Sequence, residues 1–392
     1  MLKSINIKNF RSCVDSQVQL GESVIALVGK NGVGKTTVLH AIQLACELCL
    51  GSTEFGFQLS PRDPSQPCEF VLDFSVNGKD CSYYYSRVVA PTASESIHYC
   101  EKLSLGGEIL FDRHGEALEV PDGAPLASVR LGVRASALSV LLQILPEDHA
   151  LRSRLQPVAS FLGSVRYYPL LQGFQEHSYE GSSFIEKSKY DVLFSELKQG
   201  RRTKSVQIRL IYMWLSARDK FDELKALLGR DGLGLLDDIQ VEEVEAKGSV
   251  GTSSAAESTY VISFMPGAGL AGSRRWFIFS GLSAGTWRIL QLLTCLVFDG
   301  TSCMLLEQPE DCVHSGLLIK VIDILQTYSE RTQLICTTHS ASVMNLVGAK
   351  GIRFVTSARG ETVVTKFDDD GLASASAYLQ SEGTLAEFLE TL

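Results

Sequence analysis

The stretch Val28-Gly29-Lys30-Asn31-Gly32-Val33-Gly34-Lys35-Thr36-Thr37 fits the spacing G-x-x-x-x-G-K-[ST] at every fixed position. An apolar run over residues 24–28 precedes it and reads as a buried strand. A helical pattern follows, with Val38, Leu39, Ile42, Ala45 and Cys49 on one face. Strand, glycine loop and helix in that order identify a phosphate-binding loop. Gly29, Gly32 and Gly34 let the backbone curl so that its N–H groups, from Lys30 to Thr37, surround a polyphosphate. The helix adds its positive N-terminal end. In such a loop Lys35 reaches the β- and γ-phosphates and the Thr36 hydroxyl holds Mg²⁺.

The composition narrows the rest. A chain of 392 residues has room for one large domain or two modest ones. Its net charge of −9 gives no global basic field for gathering nucleic acid, so any such contact must be a local patch. Ten cysteines are scattered, with Cys295, Cys303 and Cys336 inside apolar runs, which suits a reducing cytoplasm. Cys46 and Cys49 form a C-x-x-C without a second pair at metal spacing, and read as core. The opening lacks a signal-peptide pattern, and no apolar run reaches roughly 18 residues, so the expectation is a soluble cytoplasmic protein without a membrane partner.

Along the chain, residues 4–8 alternate polar and apolar, with Ile5 and Ile7 on one face, and read as an edge strand ending in Asn9-Phe10-Arg11-Ser12. Residues 17–20 are its candidate partner. A Gly-, Ser- and Pro-rich loop over 51–67 precedes β-like runs at 69–76, 82–89, 97–103 and 108–111. Asn77-Gly78 between the first two is a hairpin turn signal. These runs form an antiparallel block beside the nucleotide-binding strand. Residues 136–162 are helical, with Gly163 as the stop, and 164–170 are a strand. Residues 171 to about 245 read as helical and polar, 248–258 as low-complexity, and 260–265 and 275–279 as β-like.

The second half repeats an α/β alternation. Leu282-Ser283-Ala284-Gly285 opens a helix of about 287–298. Residues 303–306 are a buried strand ending in Glu307-Gln308-Pro309-Glu310. A helix over 315–328 leads to a strand over 333–337, which ends in Thr338-His339-Ser340. Polar residues thus collect at the C-terminal ends of strands, where ligands bind in such sheets.

This order of motifs resembles the ATP-binding-cassette heads of the SMC, RecF and OLD-like ATPases, an AAA group found in DNA repair and antiphage defence. Ile5-x-Ile7-x-Asn9-Phe10-Arg11-Ser12 is similar to their first strand, Leu282-Ser283-Ala284-Gly285 to the signature loop, 305–310 to Walker B and His339 to the switch histidine. The resemblance covers residues 1–50 and 275–350, and the middle by layout only. It implies an α/β P-loop head: a mixed sheet, an antiparallel β block and a helical insertion. The implied divisions are an ATPase lobe over 1–170, the insertion over 171–259 and a completing lobe over 260–392.

The resemblance also implies roles. Glu307 and Thr36 would order Mg²⁺, His339 would sense the γ-phosphate, and Arg11 would bind phosphate or base. Ser283 and Gly285 would cap the ATP of a second subunit, so that a head-to-tail homodimer encloses two ATP molecules, with higher homo-oligomers open. Gln172 and Gln175 are candidates for the Mg²⁺-sensing glutamine between lobes. One position departs from the pattern. Where these heads carry a second carboxylate that polarises water, this chain has Gln308, and an amide cannot accept the proton. Three readings stay open. Hydrolysis is slow, assisted by Glu310; ATP serves mainly to dimerise; or the residue is an engineered replacement, which the occurrence of E-Q-P-E in relatives disfavours.

Asp368-Asp369-Asp370 could suggest a nuclease metal site. With some twenty residues after it, it reads as a solvated acidic turn, and any nuclease or toxin as a separate effector chain. Arg201, Arg202, Lys204 and Arg209 form the densest basic cluster, read as a solvated face or as a contact for nucleic acid or effector. Two functions follow: an ATPase acting as sensor or motor of a nucleic-acid-directed or defence complex, and a nucleotide-gated scaffold with little turnover. A transporter head is a weaker third.

Overall fold

The computed structural model describes residues 1–51, 59–88, 99–120, 130–132, 135–168, 183–198, 205–245, 258–267, 275–381 and 383–390. The readings at Gln172, Gln175, Arg201, Arg202 and Lys204 lie outside these. In chain order the first elements are β1 (Leu2–Phe10), β2 (Cys13–Gln19), β3 (Val24–Val28), α1 (Lys35–Leu50), β4 (Cys68–Val76), β5 (Lys79–Arg87), β6 (Tyr99–Leu105), β7 (Glu108–His114), β8 (Ala117–Glu119), α2 (Ala137–Ile144), α3 (Ala150–Gly163) and β9 (Val165–Tyr168). Then come β10 (Phe184–Glu186), α4 (Lys187–Lys198), α5 (Val206–Ser216), α6 (Arg218–Leu228), β11 (Leu236–Glu245), β12 (Ser258–Pro266) and α7 (Ala284–Asp299). The chain ends with β13 (Cys303–Glu307), α8 (Ser315–Ser329), β14 (Gln333–Thr338), α9 (Ala341–Gly351), β15 (Ile352–Ala358), β16 (Glu361–Thr365), α10 (Asp369–Ser381) and α11 (Leu385–Glu390).

The chain divides into two units. The first holds Met1–Tyr168, Thr301–Pro309 and Leu325–Leu392; the second holds Pro169–Gly300 and Glu310–Ile324. The first contains two sheets. One runs β2-β1-β4-β5-β6-β7-β8 and is antiparallel throughout. The other runs β16-β15-β3-β14-β13-β9, parallel except at β15–β16. Its central strands β13, β14 and β3 are buried along nearly their whole length, as parallel strands covered on both faces must be. The antiparallel strands alternate instead: Phe70, Leu72 and Phe74 face inward on β4, and Cys81, Tyr83 and Tyr85 on β5. Asn77 (φ 50°) and Gly78 (φ 77°) make the two-residue turn between them, as the sequence predicts.

α1 packs against strands of both sheets, and this revises the one-faced reading. Leu44 and Cys46 are buried along with Val38, Leu39, Ile42, Ala45 and Cys49, and one core cluster takes in residues from both sheets. A helix apolar on all sides is a core helix. Two of its buried polar side chains meet, Gln43 Nε2 donating to Glu47 Oε1 at 3.2 Å, while Gln43 Oε1 is left without a hydrogen-bond partner among the described residues. Burial pushes the Cys46 and Cys49 thiols well above their ordinary range, which suits packing and opposes redox chemistry.

Other expectations are corrected. β1 is not an edge strand but lies between β2 and β4. A bulge between Leu2 and Ser4 keeps Leu2 on the buried face with Ile5 and Ile7. The antiparallel block expected beside the nucleotide-binding strand forms a sheet of its own. The helical run over 136–162 breaks into α2, capped by Ser136, and α3, capped by His149, with Pro146 between them. Within 171–245, β10 and β11 are strands on either side of β12, because Ile239 and Val241 alternate with polar residues at period two. Of 275–279, only Phe277 bridges, to Phe264. The acidic turn opens α10, where Asp368 Oδ1 accepts the Gly371 N–H.

In the second unit α5, α6 and α7 pack together, and α5 and α6 meet β11. Arg209, counted with the surface basic cluster on sequence, is buried here. It pairs with Asp299 at 3.0 Å and donates to Cys295 Sγ. Among the described residues, no helix is long and apolar enough to cross a membrane.

Candidate nucleotide site

The loop between β3 and α1 is held from outside. Gly34 has φ 105°, and a Cβ there would overlap the Thr362 hydroxyl and approach Ser12 Oγ to 2.9 Å. A Cβ at Gly29 would overlap the Val355 carbonyl, so β15 and β16 press directly on the glycines. Thr362 is the fastener: its Oγ1 lies 2.9 Å from Val33 O and 2.8 Å from Ser12 Oγ, and its N–H donates to Ser12 O at 2.8 Å. No side chain caps α1, so no capping group competes with an anion for its first-turn amides. Lys30, Asn31 and Gly32 are exposed at the lip, and Val33 and Thr37 are half-buried.

Lys35 is only 7% exposed. Its ammonium donates to Gly29 O (2.7 Å) and Lys30 O (2.9 Å) and meets His339 Nε2 at 2.9 Å. His339 follows β14, adjacent to β3 in the parallel sheet, which explains how residues 304 positions apart in sequence meet. On the other side, Thr36 Oγ1 donates to Glu307 Oε1 at the end of β13. Lys35, Thr36, Glu307 and His339 are therefore one cluster at the C-terminal ends of β3, β13 and β14.

Gln308 begins the turn after β13 with φ 43°, and its N–H donates to Thr337 O and Oγ1, both at 3.1 Å. A non-glycine residue held left-handed at a strand end is a backbone feature typical of functional loops. Glu310 begins a segment of the second unit.

Three residues behind the cluster have no sequence motif. The Tyr167 hydroxyl donates to Glu307 Oε2 at 2.6 Å. His40 stands edge-on to the Tyr167 ring, with centroids 5.0 Å apart. Burial, with the Arg11 guanidinium 2.7 Å from Nδ1, lowers the His40 pKa to about 4 and keeps it neutral. Arg11 is thus tied to α1 from a turn where it adopts φ 51°. One signal for His40 was available: it lies four residues after Thr36, on the same face of α1. For Tyr167 and Thr362 there was none, since their relation to the loop exists only in the fold.

In the second unit, Ser283 is the exposed N-cap of α7, accepting the Thr286 N–H at 3.2 Å. A Cβ on Gly285 would come to 2.5 Å of Cys312 O, so this position needs glycine for backbone approach. Phe264, Phe279 and Trp287 stack edge-to-face behind the turn, at 4.8 and 5.2 Å.

Two family models match the chain. Residues 1–48 match the AAA ATPase domain, and residues 215–345 match the AAA domain described as putative AbiEii toxin, Type IV TA system. The chain is 30% identical over 80 residues to the DNA double-strand break repair Rad50 ATPase of Methanocaldococcus jannaschii, covering 20% of this chain and 8% of that protein. It is 52% identical over 44 residues to the OLD nuclease of Thermus scotoductus, covering 11% and 8%. The chain thus spans less than a tenth of the length of these relatives. A solved SMC head, bound to the C-winged helix domain of ScpA, superposes with a TM-score of 0.54 at 12% identity, over 95% of this chain and 99% of that one. These matches support an ABC-type ATPase head of the SMC, RecF and OLD-like kind, and the solved SMC head shares its fold.

The donor set of this head suits the cation that its ATPase relatives imply. A hydroxyl and a carboxylate are hard oxygen ligands already in contact, and Mg²⁺ is commonly held by one or two such groups with the nucleotide's phosphates and water. Among the described residues, no group of three or more His, Cys, Asp or Glu could hold a metal on its own.

Proposed function

We infer that this head binds Mg²⁺–ATP on the loop over Gly29–Thr37 and hydrolyses it between two copies of the chain. The observation that carries the reading is the convergence of Lys35, Thr36, Glu307 and His339 on one glycine loop. Lys35, now bonded to two loop carbonyls, would exchange them for phosphate oxygens. The amides from Lys30 to Thr37 would surround the polyphosphate, and His339 would register the γ-phosphate through its contact with Lys35. Thr36 and Glu307 would hold Mg²⁺, which neutralises charge on the phosphates when bound. Arg11 would reach phosphate or base from the first turn. Ser283 and Gly285 would act in trans, presenting a hydroxyl and the N-terminus of α7 to the partner's nucleotide.

Gln308 would orient the attacking water without accepting its proton, with Glu310 assisting, so turnover is slow. The cycle would serve as sensor or motor in a complex directed at nucleic acid, in DNA repair or antiphage defence, with the effector on a separate protein. Relatives named for double-strand break repair and as a nuclease support that setting. The amide at Gln308 also favours a second reading, a nucleotide-gated scaffold that assembles on ATP and holds an effector. ATP hydrolysis with and without DNA, run beside mass measurement with ATP, separates the two. Assembly with DNA-stimulated turnover supports the ATPase; assembly without turnover supports the scaffold. No nucleotide-dependent binding or assembly overturns both.

A further inference from the structure

We propose that Tyr167 is a positioning residue for the metal-binding carboxylate: its hydroxyl holds one oxygen of Glu307 so that the other stays directed at Thr36. The proposal rests on the reading of Thr36 and Glu307 as the Mg²⁺ ligands. The Tyr167 hydroxyl lies 2.6 Å from Glu307 Oε2, a short hydrogen bond, while Oε1 accepts from Thr36. Both bonds leave the carboxylate in one orientation, with the Thr36 side of it presented to the nucleotide loop.

The strand register makes this possible. β9 runs parallel to β13 with Tyr167 opposite Leu305, so Tyr167 is a diagonal neighbour of Glu307 on the same face. The tyrosine itself has little freedom. It is 5% exposed, and its ring is braced edge-on by His40 from α1. His40 in turn is fixed by Arg11 at 2.7 Å. Glu307 is half-buried at a strand end, and without the tyrosine hydroxyl its carboxylate would be freer to rotate and to turn either oxygen to water. Tyr167 acts through Glu307.

Tyr167→Phe keeps the ring against His40 and removes the hydroxyl alone. Binding of a fluorescent ATP analogue to the full chain is measured across a Mg²⁺ series and in EDTA, for wild type, Tyr167→Phe and Glu307→Gln. The expected result is an about 10- to 100-fold rise in half-saturating Mg²⁺ for Tyr167→Phe, the range for losing a partner of a metal ligand. Affinity in EDTA should stay at the wild-type value, and hydrolysis should recover at high Mg²⁺. If Glu307→Gln loses the Mg²⁺ dependence while Tyr167→Phe keeps it unchanged, the role of Tyr167 is overturned and the ligand assignment stands. If Glu307→Gln also behaves as wild type, the ligand assignment itself fails, and the role of Tyr167 with it. A parallel loss of affinity in EDTA makes Tyr167 a support of the whole pocket and overturns the positioning role.

Discussion

Glu307 and Gln308 are adjacent in sequence, yet the backbone separates their tasks. Glu307 closes β13 with its carboxylate between Thr36 and Tyr167, whereas Gln308 turns away at φ 43° and anchors its N–H on Thr337. If Gln308 is a disabled base, Gln308→Glu restores a proton acceptor, and general-base catalysis is worth roughly 10²–10⁴-fold. We expect kcat for ATP to rise at least ~10-fold with KM little changed; an unchanged kcat in steady-state assays rejects the idea. The loop glycines carry a different kind of constraint. Gly34 combines φ 105° with the Thr362 hydroxyl where a Cβ would go, so Gly34→Ala strains the backbone and pushes β16 off the loop. Titration calorimetry should show ATP affinity falling beyond measurement, with a lowered melting temperature. Wild-type binding would mean that the loop can re-form without Thr362.

At the scale of elements, the antiparallel sheet that covers α1 also buries a charged pair. Glu101 on β6 is fully buried beside Arg113 on β7, at 3.6 Å, and accepts from the Ala137 N–H at the start of α2 and the hydroxyls of Tyr83 and Tyr99. Burial nevertheless raises its pKa from an ordinary 4.5 to about 7. A carboxyl raised on folding binds more protons in the folded than in the unfolded chain between these values. Its contribution is full below about 4.5 and is lost as pH rises through about 7. His40 has the opposite sign, since a base lowered from 6.5 to about 4 costs stability as pH falls through that window. The two overlap, so the wild-type melting temperature alone hides both. The difference between wild type and Glu101→Gln, followed by calorimetry, should shift against wild type as pH rises from about 4.5 to 7; a pH-independent difference removes the assignment. The strands and helices around α1 were legible because their patterns are local: alternation on β4 and β5, the Asn77-Gly78 turn, the apolar runs of β3 and β13. That two separate sheets cover α1 was not, because its periodicity shows one apolar face whether one sheet or two cover it. β11 was hidden for a similar reason, its polar positions outnumbering the apolar ones that pair it with β12.

For the molecule as a whole, the cluster of Lys35, Thr36, Glu307 and His339 was readable because each residue sits at a motif's fixed position. Tyr167, His40 and Thr362 acquire meaning only when the strands are set side by side. The turn over 282–285 was marked in the sequence as the opening of a helix, which α7 is, but Ser283 and Gly285 belong to the second unit, and their proposed role toward a partner's nucleotide is argued from family likeness and local geometry. That geometry supports an outward role. Ser283 is exposed at the start of a 16-residue helix, and the turn is braced from behind by Phe279 and Trp287. A test must alter the charge that the turn presents without unfolding α7. Ser283→Asp does so, because aspartate caps a helix as well as serine does and favours its positive end. Set opposite a partner's triphosphate, the added carboxylate would meet like charge. Native mass or light scattering should find that wild type doubles its mass on adding ATP and that Ser283→Asp stays monomeric. ATP affinity of the isolated variant should match the wild-type monomer, since its own loop is untouched. A variant that still dimerises on ATP would show that the turn faces something other than a second nucleotide.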